Sequence, residues 1–378
     1  MAGVYIHIPF CRQACHYCNF HFATSLRYKD ELISAIVKEA TLQKDYLEGE
    51  TVETIYFGGG TPSLLPATEI QLILAEIKRL FPVGENPEIT LEANPDDITE
   101  EKLEAWQRSG INRLSIGVQS FFEEDLRWMN RAHTSGQALE NVQLARRYFE
   151  NITIDLIYGT PGLTNERWKE NVNKALELQV PHLSCYALTV EPKTPLAKLI
   201  RRKEYADTNP DVQSEQFLLL MQWLDNAGFE HYEISNFARP GWRSRHNASY
   251  WAADSTRTGK SYLGLGPSAH SYNGKERQWN VSNNTTYIQV IGQGRVPYEK
   301  EILTAAQQLN EYIMTSLRTI EGLNLELLKS RFQLDGKEII KKAQRFIDAG
   351  EIEKLGNALV LTRKGKLLAD GIAAALFF

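Results

Sequence analysis

Short apolar runs alternate with longer amphipathic stretches through the first half of the chain. The runs are nearly continuous and rich in β-branched residues, which is typical of parallel strands buried on both faces. The predicted strands are VYIHI from Val4, TIYFG from Thr54, EITLEA from Glu88, RLSIGV from Arg113, ITIDLIYG from Ile152 and HLSCYAL from His182. Between them, apolar residues recur at helical spacing. The predicted helices cover 28–47, 67–80, 100–109, 135–149 and 166–178.

Six consecutive β–α units predict a parallel sheet, either doubly wound or curled into a barrel. Polar side chains recur at the carboxyl ends of the strands, at Glu92, Gln119 and Asp155. In a barrel all of these ends open onto one face, where active sites are built. We therefore favour an α/β fold of the partial (β/α)6 barrel type.

The pattern changes twice after the helix predicted at 211–227. Residues 229–302 are rich in Gly, Ser, Asn and aromatic residues, which indicates loops with short strands. From residue 303, two or three helices precede a hairpin with a Gly-Asn turn and a final helix, an order typical of winged-helix-like domains. The predicted domains are a barrel over 1–228, a loop-rich segment over 229–302 and a C-terminal winged-helix-like α+β domain over 303–378, which we interpret as a lid or scaffold.

Composition narrows the function classes. The 378 residues carry a net charge of −5, so no basic field for nucleic acid is present. No apolar stretch approaches the roughly 20 residues of a membrane span, and no export signal is visible at the N-terminus. Four cysteines, three of them clustered, argue against a disulfide framework and favour metal binding in a reducing cytoplasm.

The clustered cysteines Cys11, Cys15 and Cys18 have the spacing C-x₃-C-x₂-C, directly after the first strand. Zinc normally takes four ligands in a structural site, and a nearby histidine could supply the fourth. The candidate histidines are His7, His16 and His21. Alternatively, three cysteines could hold an iron–sulfur cluster with one iron left open. Cys185 lies far away in an apolar strand and is expected to be a small buried hydrophobe.

Several motifs bear a family resemblance. The cysteine spacing, with Tyr17 in the last gap, and the glycine-rich YFGGGTPS after the second strand resemble radical S-adenosylmethionine (SAM) enzymes. Within that superfamily, YIHIPFC, LEANPDD, RLSIGVQSF, NRAHT, IDLIYGTPG and HLSCYALTVEPKTPL resemble the oxygen-independent coproporphyrinogen III oxidase group over essentially the full length. The resemblance implies a partial barrel with a 4Fe-4S cluster at its open face and SAM chelating the open iron.

The resemblance also implies site residues. Cys11, Cys15 and Cys18 match the cluster ligands. The positions that match SAM contacts are Tyr5, Tyr17, Gly59, Gly60, Thr61, Glu92, Gln119, Arg131, Asp155 and Ala187. Their chemistry is suitable, since carboxylates accept hydrogen bonds from hydroxyl and amino groups and an arginine pairs with a carboxylate. The alternative for Glu92 and Asp155 is that they cap neighbouring helices.

Two departures separate the chain from the oxidases of this group. Phe20 stands where they carry a further cysteine, and only ten residues precede Cys11. Both features match the shorter branch of heme chaperones, which carries the motif H-N-x-x-Y-W; the chain has HNASYW. The motif residues His246, Asn247, Tyr250 and Trp251 are candidate heme contacts, because imidazole ligates heme iron and aromatic rings pack on porphyrins. The alternative is that they cap a turn and fill the core beneath the barrel.

The resemblance thus implies a cytoplasmic heme chaperone that binds a 4Fe-4S cluster, SAM and heme and transfers heme to acceptor proteins. Its partners would be an electron donor and heme-accepting proteins, with no nucleic acid. The prediction is compatible with peripheral membrane association and with either a monomer or a homodimer. The competing hypotheses are a coproporphyrinogen III oxidase, which decarboxylates propionates by a radical route, and a zinc-stabilised scaffold.

Overall fold

The computed structural model describes residues 2–251 and 260–378. At its centre six parallel strands, β1 to β6, lie side by side in sequential order, as the repeated β–α pattern predicts. Their bounds are Ala2–Ile8, Val52–Gly59, Val83–Ala93, Arg113–Gln119, Ile152–Tyr158 and His182–Ala187. The partial (β/α)6 barrel is confirmed.

The two faces of the barrel strands differ in chemistry. In β1, Val4, Ile6 and Ile8 belong to the main hydrophobic core, whereas Tyr5 and His7 alternate with them on the inner face. The other strands repeat this alternation. Their inner positions include Thr54, Tyr56, Glu88, Thr90, Glu92, Arg113, Ser115, Gln119, Thr153, Asp155, His182 and Ser184. The expectation of strands apolar on both faces therefore holds only for the outer face, and the barrel interior is polar.

Helices α1 to α6 cover the outer face. Their bounds are Lys29–Leu42, Ala67–Leu80, Glu100–Arg108, Glu123–Trp128, Ser135–Arg146 and Asn165–Glu177. Threonine caps fix several of their starts: Thr99 Oγ1 accepts a hydrogen bond from the Lys102 amide at 3.3 Å, and Thr134 forms a capping box with Gln137. The short helix α4 has no counterpart among the predicted helices.

The predicted loop-rich segment contributes strands to both edges of the sheet. After α7 (Pro195–Arg201) and α8 (Pro210–Asn226), strands β7 and β8 extend the edge at β6, and β9 pairs in parallel with β1. The bounds of β7 to β12 are Glu230–Glu233, Asn236–Ala238, Tyr262–Leu265, His270–Tyr272, Glu276–Asn280 and Tyr298–Ile302. Two helices lie between them, α9 (Arg245–Trp251) and α10 (Asn284–Gly292). Strands β1 to β12 form one twelve-stranded sheet.

The C-terminal region has its own hydrophobic core and consists of five helices and a three-stranded antiparallel sheet. Its helices are α11 (Ala305–Leu317), α12 (Leu325–Phe332), α13 (Gly336–Asp348), α14 (Arg363–Lys366) and α15 (Ala369–Leu376), and its strands are β13 (Leu323–Asn324), β14 (Ile352–Leu355) and β15 (Ala358–Leu361). The last two strands form the predicted hairpin, whose turn includes Gly356 at φ +57°. Arg318, directly after α11, contacts Glu233 of β7 and ties this region to the barrel. Within the described ranges, every helix is too short or too polar to cross a bilayer.

Candidate functional site

The three clustered cysteines lie on the loop between β1 and α1. They line a cavity of about 490 Å³ at the carboxyl ends of the barrel strands. Hydrogen bonds fix the loop over this cavity: the Asn130 side chain donates to Ala14 O at 2.8 Å, and the His16 amide donates to Met129 O at 3.0 Å. The sequence predicted this face of the barrel as the site, and the cysteines open onto it.

The histidines near the cysteines have other partners. His7 Nε2 is hydrogen-bonded to His21 O at 2.9 Å, His16 Nδ1 to Trp128 O at 2.9 Å, and His21 Nε2 to Asn284 Oδ1 at 2.7 Å. No three His, Cys, Asp or Glu side chains of the described ranges converge on one metal ion. A cubane cluster is larger than a single ion and accepts more widely spaced thiols. The donor set of three cysteines without histidine therefore fits a cluster better than zinc.

Cys185 lies apart from the other cysteines. It is buried in the main core on the outer face of β6, as expected from the sequence.

Burial also raises the pKa of the Cys18 thiol at the cavity to about 11 and raises that of Cys11. These buried thiols hold their protons at neutral pH unless a cationic centre stabilises the thiolates.

Nine of the ten positions proposed to contact SAM line the same cavity as the cysteines. They are Tyr17, Gly59, Gly60, Thr61, Glu92, Gln119, Arg131, Asp155 and Ala187. They come from the ends of five successive strands and from the segments that follow α4 and Cys15. The tenth, Tyr5, lies below the cavity, and its hydroxyl is 3.2 Å from His7 Nδ1.

The glycine-rich turn after β2 is joined directly to the cysteine loop. The Gly60 amide donates to Ile8 O at 2.9 Å, and the Thr61 amide donates to Phe10 O at 2.7 Å. A Cβ on Gly60 would lie 2.6 Å from Phe10 O and 2.7 Å from Ile8 O. Only glycine allows the two backbones to approach this closely.

Two buried carboxylates form the floor of the cavity. Glu92 accepts hydrogen bonds from the Tyr56 hydroxyl at 2.8 Å and from the Gly59 amide at 3.1 Å. Burial raises the pKa of Glu92 to about 7 and that of Asp155 to about 6, and hydrogen bonds from Ser184 and Ser115 oppose the shift of Asp155. Neither carboxylate bonds to the amides at a helix start, so the alternative of helix capping does not describe them.

Arg131 supplies the positive charge beside the cysteines. Its Nη2 donates to Asn94 Oδ1 and to Gly117 O, both at 2.8 Å, and its Nη1 donates to Cys15 Sγ at 3.3 Å and to Tyr17 Oη at 3.5 Å. Its buried Nε has no hydrogen-bond partner. The guanidinium lines the cavity beside the cysteines, where its positive charge suits an incoming carboxylate. The site thus fits SAM on an observation of its own.

The HNASYW residues lie at the opposite end of the barrel from the cysteines, in α9. His246 is 2% exposed, and both of its ring nitrogens are used: Nδ1 is 2.8 Å from Thr54 Oγ1 and Nε2 is 2.8 Å from Tyr250 Oη. The Asn247 side chain donates to Tyr232 Oη at 3.3 Å. His246 can therefore coordinate iron only after it releases one of these partners.

Trp251 differs from the other motif residues because it lines a second cavity, of about 320 Å³, between α9 and the C-terminal region. Tyr232, Tyr312 and Arg243 also line this cavity. The buried Trp251 Nε1 has no hydrogen-bond partner. Of the motif residues predicted to contact heme, Trp251 is thus the one beside an open space.

Phe20 lies at the mouth of the first cavity and is 66% exposed. Sequence reasoning missed three neighbouring residues, Asn94, Tyr56 and Arg113. Asn94 orients Arg131, and Tyr56 donates a hydrogen bond to Glu92. Arg113 lies beneath the two carboxylates. The sequence contains a signal for these residues, because each is a polar or aromatic residue that either follows a strand or occupies every second position along one.

Comparisons with known proteins agree with this geometry. The radical SAM superfamily model matches residues 5–175, and the HemN C-terminal domain model matches residues 303–368. The chain is 35% identical to heme chaperone HemW of Mycobacterium tuberculosis (strain H37Rv) over 99% of this chain and 94% of that protein. It is 33% identical to heme chaperone HemW of Bacillus subtilis over 99% of both.

Among solved structures, coproporphyrinogen III oxidase (HemN) from Escherichia coli, a radical SAM enzyme, has a TM-score of 0.84. It is 24% identical in sequence, and the match covers 100% of this chain and 90% of that one. This likeness shows that the fold, including the C-terminal region, is shared.

Proposed function

Because the chain belongs to the heme chaperone HemW family of radical SAM proteins, we propose that it binds heme and delivers it to acceptor proteins. The observation that carries the proposal is a similarity to heme chaperones that extends over 99% of the chain, both barrel and C-terminal region. The cavity that gathers three cysteines and nine candidate SAM contacts supports the cofactor part of the proposal.

In this proposal Cys11, Cys15 and Cys18 bind three irons of a 4Fe-4S cluster, and SAM occupies the adjoining cavity. Together, a reduced cluster and SAM supply one-electron cleavage of a carbon–sulfur bond. Arg131 would pair with the carboxylate of SAM, while Asn94 and Gly117 O fix its orientation. Glu92 and Asp155 would accept hydrogen bonds from the amino and ribose hydroxyl groups.

The protein itself orients SAM and excludes water around it. Gly59 and Gly60 bring the backbone against the ligand, and the Thr61 hydroxyl donates to Cys11 Sγ at 3.5 Å. Tyr17, Ile157 and Leu188 give the cavity apolar wall area, which would help to exclude water around bound SAM.

We propose that heme binds at the HNASYW segment through Trp251 and its cavity. Tyr232, Tyr312 and Trp251 offer aromatic surface. Arg243, which pairs with Glu230 at 3.0 Å and with Glu321 at 2.7 Å, would bind a propionate by exchanging one of these carboxylates for it. His246, Asn247 and Tyr250 hold α9 in place through their hydrogen bonds and thus contribute indirectly. Axial ligation of iron by His246 would require α9 to rearrange.

The second candidate function is coproporphyrinogen III oxidation, which the shared fold favours. Phe20, exposed where the oxidases of the resembling group carry a cysteine, opposes it. The deciding assay is an anaerobic incubation of the reconstituted, reduced protein with SAM and coproporphyrinogen III. We expect no catalytic formation of protoporphyrinogen IX. Multiple turnovers would overturn the chaperone proposal in favour of the oxidase.

We place the protein in the cytoplasm, with an electron donor and heme-accepting proteins as partners and as a monomer or a homodimer. All four cysteines are free of disulfides, which suits a reducing compartment. Anaerobic purification followed by iron, sulfide and zinc analysis tests the cluster. Zinc without labile sulfide would favour the scaffold hypothesis instead.

A further inference from the structure

Arg113 occupies an unusual position inside the barrel. It opens β4 and is only 2% exposed, and its guanidinium donates to Thr153 Oγ1. Its Nε has no hydrogen-bond partner, and no carboxylate of the described ranges forms a direct ion pair with it. A buried guanidinium without an ion pair is costly, so its neighbours must offset the cost of desolvation.

The groups that face Arg113 come from six elements around the barrel axis. They are Tyr56 of β2, Glu92 of β3, Asp155 of β5, His182 of β6, Tyr232 of β7 and His246 of α9. Burial and the charge of Arg113 lower the pKa of His246 to about 3 and lower that of His182. Both imidazoles are therefore neutral. Arg113 is the cation inside the barrel, below the two carboxylates, while Arg131 faces Asp155 from the cavity.

A chain of hydrogen bonds holds the guanidinium. Thr153 Oγ1 is 2.9 Å from His182 Nδ1, His182 Nε2 is 2.7 Å from Tyr232 Oη, and Tyr232 Oη accepts from Asn247 of the HNASYW motif at 3.3 Å. The acceptor role of His182 Nδ1 is assigned from this network. The chain fixes the position of the charge below Glu92 and Asp155.

The positive charge of Arg113 lowers the pKa of both carboxyl groups, which favours the ionised form that accepts hydrogen bonds. Burial, together with the charge of Asp155, raises the pKa of Glu92, whereas Arg113 lowers it; Arg113 also lowers the pKa of Asp155. The register of the sheet places Arg113 opposite Thr90, one inner position below Glu92, and Thr153 lies one inner position below Asp155. Without Arg113 the pKa of both carboxyl groups would rise further. A protonated carboxyl loses acceptor strength toward an ammonium or hydroxyl group.

We propose that Arg113 is a positioning residue for SAM, whose buried charge holds Glu92 and Asp155 as acceptors for the ammonium and hydroxyl groups of the ligand. Arg113 does not line the cavity and acts only through these two side chains. The role rests on the proposed function, because it presupposes that SAM occupies this cavity.

The test compares Arg113→Gln, which removes the charge, with Arg113→Lys, which keeps it. SAM binding to the unreduced, cluster-loaded proteins is measured by calorimetry between about pH 6 and pH 8.5. In the wild type we expect affinity to fall as the pH drops through the pKa values of Glu92 and Asp155. In Arg113→Gln the midpoint should move up by about one unit, with affinity at pH 7 about tenfold weaker. Arg113→Lys should keep the wild-type midpoint.

Each other outcome has a defined meaning. A loss of affinity in Arg113→Gln that is equal at every pH, or no loss, overturns the role of Arg113. If Arg113→Gln fails to fold, Arg113→Lys and Thr153→Ser become the deciding pair, because the first keeps the charge and the second keeps both the charge and the hydroxyl that holds it. A tenfold loss in either overturns the proposal. Wild-type protein with a complete cluster that binds no SAM overturns the proposed SAM site itself, a result distinct from failure of heme transfer.

Discussion

The imidazole of His246 stacks on the ring of Tyr56, with centroids 4.9 Å apart and ring planes at 21°. Tyr56 in turn donates its hydroxyl hydrogen bond to Glu92 on the floor of the cavity. The contact joins the HNASYW segment at one end of the barrel to the candidate SAM cavity at the other. Changes in α9 are therefore expected to reach Glu92 through one aromatic ring.

Trp251→Ala tests the proposed heme contact. Removing the indole from its cavity should weaken heme binding at least about tenfold, because a planar ligand loses its largest aromatic surface there. The measurement is titration of heme against the anaerobically reconstituted protein, followed by visible absorbance. Trp279→Ala, on β11, is the matched control and should titrate like the wild type. Equal losses in both variants would place the contact elsewhere.

His246→Ala should affect stability first. The substitution leaves a void against Tyr56 and deprives Thr54 and Tyr250 of a partner, at a cost of about 2–4 kcal/mol in the free energy of unfolding. Denaturant unfolding measures the loss. Heme binding by the folded variant should fall less than in Trp251→Ala. A reversed order of the two variants would identify His246 as a direct ligand.

Cys15→Ser should abolish the cluster, because two cysteines cannot hold a cubane. The absorbance of the cluster and its iron and sulfide content report the loss after anaerobic reconstitution. Cys185→Ser is the matched control, since Cys185 lies in the core away from the cavity. Retention of full iron and sulfide in Cys15→Ser would show that other ligands hold the metal.

Gly60→Ala should disrupt the junction between the glycine-rich turn and the cysteine loop. The added methyl group would meet two backbone oxygens that cannot move independently, and we expect a loss of about 1–3 kcal/mol in stability together with weaker SAM binding. Gly371→Ala, in α15 with no atom within 4 Å of the added Cβ, should instead be neutral or stabilising. Thermal unfolding and calorimetry on both variants check the contrast.

The pKa of Glu92 predicts how stability changes with pH in the protein without SAM. The folded-state pKa is raised to about 7, so between the unfolded value and pH 7 the folded state binds the extra proton. Stability is therefore greatest at low pH within this window and falls as the pH rises, by up to about 1–3 kcal/mol. Glu92→Gln should flatten this dependence in urea unfolding at pH 5.5 and 7.5. Glu101→Gln, on the surface of α3, should leave it unchanged.

The outer face of the barrel was predictable from the sequence because its apolar runs are continuous, and the helix predicted at 67–80 coincides with α2. The polar inner face was harder to predict. Tyr56, Thr90 and Ser115 are compatible with an apolar strand. Only the alternation of side chains along the pleated strands of the structure shows that all three lie on the inner face of the barrel. Arg113 was read only as the start of a strand, although it shares the alternate positions of Ser115 and Gln119, because its burial depends on the neighbouring strands.

The candidate site followed from spacing and from the strand ends, because a parallel barrel brings those ends together regardless of sequence distance. Tyr5 was the exception, since a residue in mid-strand lies below the cavity. The HNASYW segment could not be placed from sequence. Its position depends on β8 and β9 joining opposite edges of the sheet, a long-range pairing without a local signal.

The proposed function depends most on heme binding by the cluster-loaded protein. The direct measurement is an anaerobic heme titration of the reconstituted wild-type protein, with Trp251→Ala measured beside it. We predict saturable binding of about one heme per chain with affinity in the submicromolar range, and a clear loss in the variant. Non-saturating or absent heme binding by protein with full iron and sulfide would contradict the account.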